Sequence, residues 1–390
     1  MSNELNFPIL PPAWLGVMGG GQLGRMFCHA AQSMGYKVCV LDPDPNSPAG
    51  AAADKHLLAD YLDEKALSEM ATQCAAVTTE FENVPAKALE FLAHRCKVSP
   101  GAKPVSIAQD RVLEKQFAQS AGARVAPFAA INSDADVAKT TDDLYPGILK
   151  SARMGYDGKG QVRVANREEA RAAFVGLKRV SCVLEKQLQL LREVSVVLGR
   201  SADGAIVCLP IAENEHRNGI LARTIVPARI DERLASEVTQ AAGKIAQTLD
   251  YVGVLCVEFF IVNGIDGLTW VVNEMAPRPH NSGHYSINAC ITSQFELQVR
   301  AMAGLPMPSG SANAMSASVM LNVLGDIWPA SGEPAWDTVL SNPFVKLHLY
   351  GKADARLGRK MGHITLVGAG LDELLAHADA VASRLGIPTA

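Results

Sequence analysis

The sequence predicts an α/β amino-terminal domain on a parallel sheet, followed by an α+β region on antiparallel or mixed sheet. Two observations point there. Over residues 14–100 short apolar strands alternate with helical stretches, the pattern of a parallel sheet covered by helices on both faces. Beyond KVSPGAKP strands follow one another directly, as in EVSVVLGRSADGAIVCLPI, which reads as a hairpin turning at Asp203-Gly204. At 390 residues the chain is also too long for one compact core.

Taken in order, WLGVM is the first strand, GGGQLG a turn, and Gln22 to about Met34 a helix. KVCVL and AAVTTEF are further strands, and VPAKALEFLAHR a helix. A helix from Asp110 (RVLEKQFAQSAG) precedes the strand GILKSA, the glycine-rich loop MGYDGKGQ and the strand VRVA. EEARAAFVGL is helical and CVLEKQL extended; after the hairpin, a helix spans 231–249. The strands VGVLCVEFFIV and LTWVVNEMA then flank the turn NGIDG. Residues 305–390 are proline-broken, then strand-rich (FVKLHLY, HITLV), and close with a helix through DELLAHADAVASRL.

Composition narrows the function. Hydrophobic residues make up 48% and charged residues 19%, as in a folded soluble enzyme. Thirty-six basic and 40 acidic residues leave a net charge of −4, without a basic block, so neither nucleic acid nor a membrane surface is expected as a partner. The amino terminus lacks a basic head, and no apolar run reaches membrane-spanning length. Eight cysteines lie singly with no C-x-x-C pair, which suits buried thiols in a reducing cytoplasm.

Gly19, Gly21 and Gly24 fit G-x-G-x-x-G, and Asp42 ends a later apolar run, as in a dinucleotide-binding fingerprint. Such a turn places a helix amino terminus and free amides at the sheet edge, which favours phosphorylated ligands of many kinds. Asp42 is followed by Pro43, Asp44 and Pro45, a stiff segment ill suited to wrapping an adenosine ribose.

Glu258 and Glu274 lie inside apolar strands, where an unpaired carboxylate is costly. Pairing outward from NGIDG sets them almost opposite each other, so they repel unless a cation lies between. Mg²⁺, held by carboxylates and nucleotide phosphates, resolves the conflict, with Asn273 as a further oxygen ligand. The alternative is that each pairs with an arginine or lysine. The loop 154–161 suits a flap whose amides close over phosphates, though a Gly-Asp-Gly loop can be only a turn. Lys150, ending GILK, supplies a charge for phosphates; otherwise it is a solvated strand end. The segment EMAPRPHNSGHYS gathers an arginine, two histidines and an asparagine on a proline-stiffened loop, which suits an oxyanion-handling site.

The order of these motifs resembles the ATP-grasp superfamily, and within it the 5-(carboxyamino)imidazole ribonucleotide synthases of purine biosynthesis. The likeness runs through GGGQLGRM, TTEFENV, GYDGKGQ, EVSVV, YVGVLCVEFF, NEMAPRPHNSGH, HLYGK and GRKMGHIT. It implies an ATP-grasp fold with a Rossmann-like substrate-binding domain (1–105), a two-part ATP-grasp domain (106–304, flap about 125–190) and a small β-rich carboxy-terminal domain (305–390). The implied reaction carboxylates 5-aminoimidazole ribonucleotide with bicarbonate and ATP, through carboxyphosphate, directly or by way of CO₂. The cofactor would be Mg²⁺, with Mn²⁺ able to substitute, and the enzyme a cytoplasmic homodimer.

By resemblance, Arg111, Lys150, Gly155, Tyr156, Asp157, Gly158, Lys159, Gly160 and Gln161 hold ATP. Glu185, Lys186, Gln187 and Leu188 line the adenine with backbone groups; Glu193 meets the ribose, and His216, Asn273 and Glu274 complete that site. Tyr156, Asp157, Arg278 and His280 surround bicarbonate and the aminoimidazole, while Asn281, Lys352, Arg359 and Lys360 contact the ribonucleotide, with Lys352 also catalytic. Sister formate-dependent glycinamide ribonucleotide enzymes add Gln22, Leu23 and Glu80 as substrate contacts. Without the resemblance, Arg111, Glu185, Glu193, His216, Lys352 and Arg359 read as ordinary surface or loop residues.

The near rivals are other carboxylate-activating ligases, the formate-dependent transformylase or a biotin carboxylase, separated by the loop Arg278–His284 and the carboxy-terminal cations. A nicotinamide dehydrogenase leaves Glu258, Glu274 and the second glycine loop without a role. A regulatory module would bind ATP without releasing ADP.

Overall fold

The computed structural model describes residues 8–155, 160–265, 267–308 and 316–388. Tyr156, Asp157, Gly158 and Lys159 therefore lie outside the described residues.

Strands β1 (Trp14–Met18), β2 (Lys37–Leu41), β3 (Lys55–Leu57), β4 (Ala76–Thr79) and β5 (Lys97–Val98) form a parallel sheet in the order β3-β2-β1-β4-β5. Its central strands are apolar throughout because both faces are covered. Leu15, Val17, Val38 and Val40 pack with α1 (Gln22–Ser33), whereas Met18, Cys39, Leu41 and Val77 pack with α2 (Glu64–Gln73) and α3 (Ala86–Ala93).

Helices α4 (Ala102–Ala108) and α5 (Arg111–Ser120) lead out of this domain. Asp110 caps α5, accepting from the Val112 and Leu113 amides at 3.0 and 3.3 Å. The cap fixes Arg111 in the first turn. A four-stranded antiparallel sheet follows, with β6 (Phe128–Ile131), β7 (Gly147–Ser151), β8 (Gln161–Val164) and β9 (Cys182–Lys186) in the order β6-β9-β7-β8. Its core of Ile131, Leu149 and Leu184 takes Val137 from α6 (Asp134–Ala138) and Phe174 from α7 (Arg167–Gly176).

The third sheet has nine strands: β10 (Leu190–Arg200), β11 (Ile206–Cys208), β12 (Ala212–Arg217), β13 (Ile220–Val226), β14 (Gly253–Gly264), β15 (Gly267–Ala276), β16 (Ala317–Leu324), β17 (Val345–Leu349) and β18 (Lys360–Gly368). Their order is β15-β14-β10-β12-β13-β16-β18-β17, with β11 beside β10. The β13–β16 ladder makes the carboxy-terminal strands a continuation of the same sheet. Helix α8 (Glu232–Thr248) covers one face, burying Leu234, Val238 and Ile245 against Val196, Leu255, Val257 and Phe259. Alternation turns Cys256, Glu258, Glu193 and Ser195 to the other face. The remaining helices are α9 (Ser286–Ala289), α10 (Gln294–Ala303), α11 (Trp336–Leu340) and α12 (Leu371–Leu385).

Helix α10 joins the amino-terminal domain to the large sheet. Phe295, Val299 and Met302 enter the α1 core. The buried Gln298 amide donates to Thr78 Oγ1 and the Ser99 carbonyl, both at 3.0 Å, and accepts from the Val254 amide at 2.6 Å. Gln298→Leu leaves the Val254 amide without an acceptor, so a loss of about 1–3 kcal/mol is expected. Urea unfolding measures it, and an unchanged midpoint would remove Gln298 as a domain tie.

Candidate active site

A cavity of about 370 Å³ opens where α5, β7, β9 and the Glu258 face of the large sheet meet. Its walls include Arg111, Lys150, Gly155, Gln161, Glu185, Lys186, Gln187, Leu188, Glu193, His216, Glu258, Asn273, Glu274, Arg278, His280, Asn281 and Lys360. The sequence had separated these residues by up to 249 positions, and the fold brings them to one place.

The β14–β15 hairpin carries the acidic centre. Val257 pairs with Met275 and Phe259 with Val272, so a β-bulge sets Glu258 opposite Asn273 and Glu274 together. Burial first, and the Glu274 charge second, raise the Glu258 carboxyl to about 7, against relief from His216 and Asn273. Burial also works against ionised Glu274, but Arg111 and Lys150 outweigh it and hold this carboxyl below the usual range. The two acids are thus neighbours in unequal surroundings. Arg111 donates to Glu274 at 3.1 Å and to the Gly155 carbonyl at 3.2 Å, so the arginine-pairing alternative holds for Glu274. It does not hold for Glu258, beside which lies His280, with Nε2 3.4 Å from Oε1.

Cations gather on the opposite wall. Lys150 and Lys115 both reach Glu185 Oε2 at 3.1 Å, and Lys115 also donates to the Asn273 carbonyl at 3.4 Å. Burial opposes the Glu185 charge, but these two lysines outweigh it and lower the carboxyl. Glu185 is therefore a counterion inside the cavity. The Lys186 and Gln187 amides are already bonded to the Pro127 and Pro146 carbonyls at 2.9 Å, so these two amides are not donors left open for an adenine. Glu193 lies 2.7 Å from His216 Nδ1; burial disfavours the imidazolium, yet Glu193 and Glu258 raise His216 on balance.

Lys115 and Glu114 were missed in the sequence, although both stand within one turn of Arg111 on α5. A charged helix face normally reads as solvated. Here it is buried: Glu114 accepts the Met275 amide, and burial, reinforced by Glu274, pushes its carboxyl up to about 8.

On the other flank Arg278 Nε donates to Glu82 at 2.5 Å, a partner sequence reading also missed. His280 Nδ1 accepts from the Ser282 amide at 3.3 Å and lies 2.9 Å from Ser282 Oγ. Burial, with Arg278 close by, keeps the His280 ring neutral, well below its ordinary pKa. With Nδ1 an acceptor, Nε2 carries the hydrogen, and Glu258 Oε1 lies 3.4 Å from it. A buried chain fixes that tautomer: Thr224 donates to Asn214 (3.1 Å), Asn214 to Ser195 (3.0 Å), and Ser195 to Ser282 (2.7 Å). Asn281 is buried with neither amide atom bonded among the described residues.

The glycine turn differs from expectation. Its amides are occupied: Gly20 donates to Asp42 at 2.7 Å, while Gly21 and Gly24 donate to Glu80 at 2.9 and 3.2 Å. Two carboxylates from the chain itself take the place expected for a ligand phosphate. Asp42 is further held by Tyr61 at 2.5 Å, which removes the dinucleotide reading. Leu23 is core, and Gln22, Leu23 and Glu80 are not in the cavity wall. Neither are Lys352, which donates to the Lys360 carbonyl at 2.7 Å, and Arg359, which donates to the Asp354 carbonyl at 2.9 Å. Arg25, unnoticed in the sequence, reaches from α1 to within 3.4 Å of a Cβ placed on Gly351, next to Lys352.

Known proteins resemble this chain along most of its length. The ribonucleotide synthetase preATP-grasp domain family matches residues 13–109, the ATP-grasp domain family 116–295, and the phosphoribosylaminoimidazole carboxylase C-terminal domain family 318–377. The N5-carboxyaminoimidazole ribonucleotide synthase of Staphylococcus aureus (strain COL) is 41% identical over 371 residues, 94% of each chain. That of Brucella melitensis is 43% identical over 360 residues, 92% of this chain and 97% of the relative. Among solved structures, the Staphylococcus aureus N5-carboxyaminoimidazole synthetase complexed with ADP superposes with TM-score 0.88 at 39% identity, covering 98% of this chain and 100% of that one. The Aspergillus clavatus synthase with ADP and 5-aminoimidazole ribonucleotide gives 0.87 at 32%, covering 96% and 98%.

Glu114 yields a pH prediction. Its raised folded-state pKa means that the unfolded chain ionises first as pH rises. Stability attached to the neutral acid is complete below the unfolded value and declines until pH passes about 8. Glu114→Gln is therefore expected to raise stability at pH 8 relative to pH 5, by about 1 kcal/mol or more. Paired thermal melts test this, and an equal shift at both pH values would contradict it.

Proposed function

The chain belongs to the N5-carboxyaminoimidazole ribonucleotide synthases of the ATP-grasp superfamily, and from that premise we propose how its residues divide the work. The enzyme carboxylates 5-aminoimidazole ribonucleotide at the expense of ATP, in purine biosynthesis. What carries the residue assignment is one wall bearing Glu258, Glu274 and Asn273 beside a second bearing Arg111, Lys115 and Lys150.

In our reading the ATP polyphosphate enters between these walls. Arg111 and Lys150 turn from Glu274 and Glu185 toward phosphate oxygens, Lys115 holds Glu185 in place, and residues 155–161 contact the nucleotide by family likeness. Glu193 and His216 meet the ribose, and Lys186 to Leu188 wall the adenine. Glu258, Glu274 and Asn273 form a hard oxygen donor set that fits Mg²⁺, since Glu274 otherwise raises the cost of ionising Glu258. The chemistry such an ion supplies is neutralisation of phosphate charge. The positions of these groups, more than any covalent step by the protein, accelerate phosphoryl transfer.

Bicarbonate is the co-substrate. One of its oxygens bonds to the γ-phosphorus as the bond to ADP breaks, giving carboxyphosphate. The exocyclic amine of the ribonucleotide then forms the N–C bond, phosphate departs, and the amine loses a proton. Arg278, fixed by Glu82, and the neutral His280, through Nε2–H, stabilise the carboxyl oxygens. Tyr156 and Asp157 join them by family likeness. Asn281 and Lys360 contact the aminoimidazole ribonucleotide from the cavity wall, while Lys352 and Arg359, with Arg25, meet its 5′-phosphate. Gln22, Leu23 and Glu80 belong to this flank, Leu23 through its backbone. Eight free cysteines support a cytoplasmic setting, and family likeness supports a homodimer.

Release of ADP in the presence of Mg²⁺ and bicarbonate is expected to rise at least tenfold when 5-aminoimidazole ribonucleotide is added, a coupling enzymes achieve by transition-state positioning. ADP release indifferent to the ribonucleotide would remove the assignment. Glu274→Gln is expected to cut Mg²⁺-dependent turnover by roughly a hundredfold or more while the melting curve stays cooperative. Unchanged turnover would make the carboxylate pair structural.

A further inference from the structure

The alternation that turns Glu258 toward the cavity turns Cys256 the same way, two residues earlier on β14. The Cys256 sulfur, a Glu258 carboxylate oxygen and a His280 ring nitrogen all lie within 4.8 Å of one another. Thiolate, imidazole and carboxylate form a donor set that zinc prefers and magnesium does not. A tetrahedral zinc ion with bonds of about 2.0–2.3 Å holds its donors about 3.3–3.6 Å apart. His280 Nε2 and Glu258 Oε1 already stand 3.4 Å apart. The sulfur lies within 4.8 Å of both, so an approach of up to about 1.3 Å completes a tetrahedral face.

We propose that Cys256, Glu258 and His280 form a site for a thiophilic divalent cation such as Zn²⁺, and that its occupation inhibits the enzyme. The fourth position opens to the cavity, of which Glu258 and His280 are walls, and leaves room for a water ligand. Inhibition follows because the ion takes Glu258 away from Mg²⁺ and His280 away from the carboxyl group. This half rests on the assignments made above; the binding itself does not.

The surroundings can absorb the proton changes. Metal coordination removes the Cys256 proton, which leaves to solvent. Coordination through His280 Nε2 moves the imidazole hydrogen to Nδ1, where Ser282 Oγ, 2.9 Å away, becomes its acceptor and the 3.3 Å bond from the Ser282 amide is given up. Ser282 Oγ also accepts from Ser195 at 2.7 Å, so its own hydrogen is released to turn elsewhere. The Cys256 sulfur is 3.9 Å from that hydroxyl. One serine thus serves both the imidazole and the thiolate from outside the ligand shell, an arrangement that strengthens metal sites.

The test uses the intact enzyme and Co²⁺ as a spectroscopic stand-in for zinc. Without Mg²⁺ or nucleotide, Co²⁺ is expected to give a near-ultraviolet thiolate charge-transfer band that Cys256→Ala loses. In Mg²⁺-supported ADP release, Zn²⁺ is expected to inhibit the parent enzyme, and Cys256→Ala is expected to need roughly tenfold more zinc or beyond while keeping its zinc-free turnover. Cys256→Val, which fills the pocket without a donor, serves as the second variant if alanine unfolds the core. A band and a zinc sensitivity that both survive either substitution would overturn the proposal. A band lost with Cys256 but no inhibition by zinc would uphold the site and overturn its inhibitory role, counting against Glu258 as a magnesium ligand rather than against the thiol site.

Discussion

Charge neutrality inside a poorly hydrated cavity is the constraint on which the rest depends. Burying an ion costs several kcal/mol unless an opposite charge and hydrogen bonds compensate. The cavity answers with pairs: Arg111 with Glu274, Lys150 and Lys115 with Glu185, His216 with Glu193, and Arg278 with Glu82. Glu114 and Glu258 are exceptions, each raised by burial and by the Glu274 charge. The β-bulge holds Glu258 beside that carboxylate, with His280 Nε2 3.4 Å away. On the proposed assignment, such a site would exchange partners when a polyanion and a cation arrive together, phosphates taking over the basic side chains and the cation the acids.

Three separate segments have to meet for this balance to exist, and the hydrogen bonding of the large sheet brings two of them together. β13 pairs with β16, and β16 with β18, so Lys360 at the start of β18 arrives at the cavity beside the β14–β15 hairpin. The amino-terminal domain is attached through α10. Gln298 satisfies groups on both sides of the junction, and Phe295, Val299 and Met302 lie in the α1 core. Glu82, which orients Arg278, belongs to this docked domain. The loop that carries Arg278 is thereby set by contacts from outside the sheet to which it belongs.

Much of this was legible in the sequence where periodicity governs it. Period-two alternation and the NGIDG turn sufficed to set Glu258 against Glu274, and the bulge shifted the pairing by a single residue. The strand–helix alternation of the first hundred residues gave the parallel sheet and its two covered faces. Tertiary burial of polar groups was not legible. Glu114 and Lys115 stand on a helix whose charged face should meet water, yet β9 and β15 cover it. Nothing in the sequence says that Glu185 would serve as a counterion, since its lysine partners lie 35 and 70 positions away.

The glycine turn shows most directly how a local motif can be right about geometry and wrong about chemistry. Gly19 adopts φ 106°, and a Cβ on Gly21 would stand 2.5 Å from Glu80 Oε1, so the glycines are needed for a close approach to the backbone. The approaching anion belongs to the protein. Glu80, brought over by β4, accepts from the start of α1, and Asp42, at the end of β2, accepts from Gly20. A carboxylate meets the same partial positive charge at a helix amino terminus that a phosphate would meet. A dinucleotide would have to displace two internal acids, one of them also bonded to Tyr61, and would gain only the amides those acids now hold. The same replacement anchors β1, β2 and β4 to one another at their carboxyl ends, through Asp42 and Glu80.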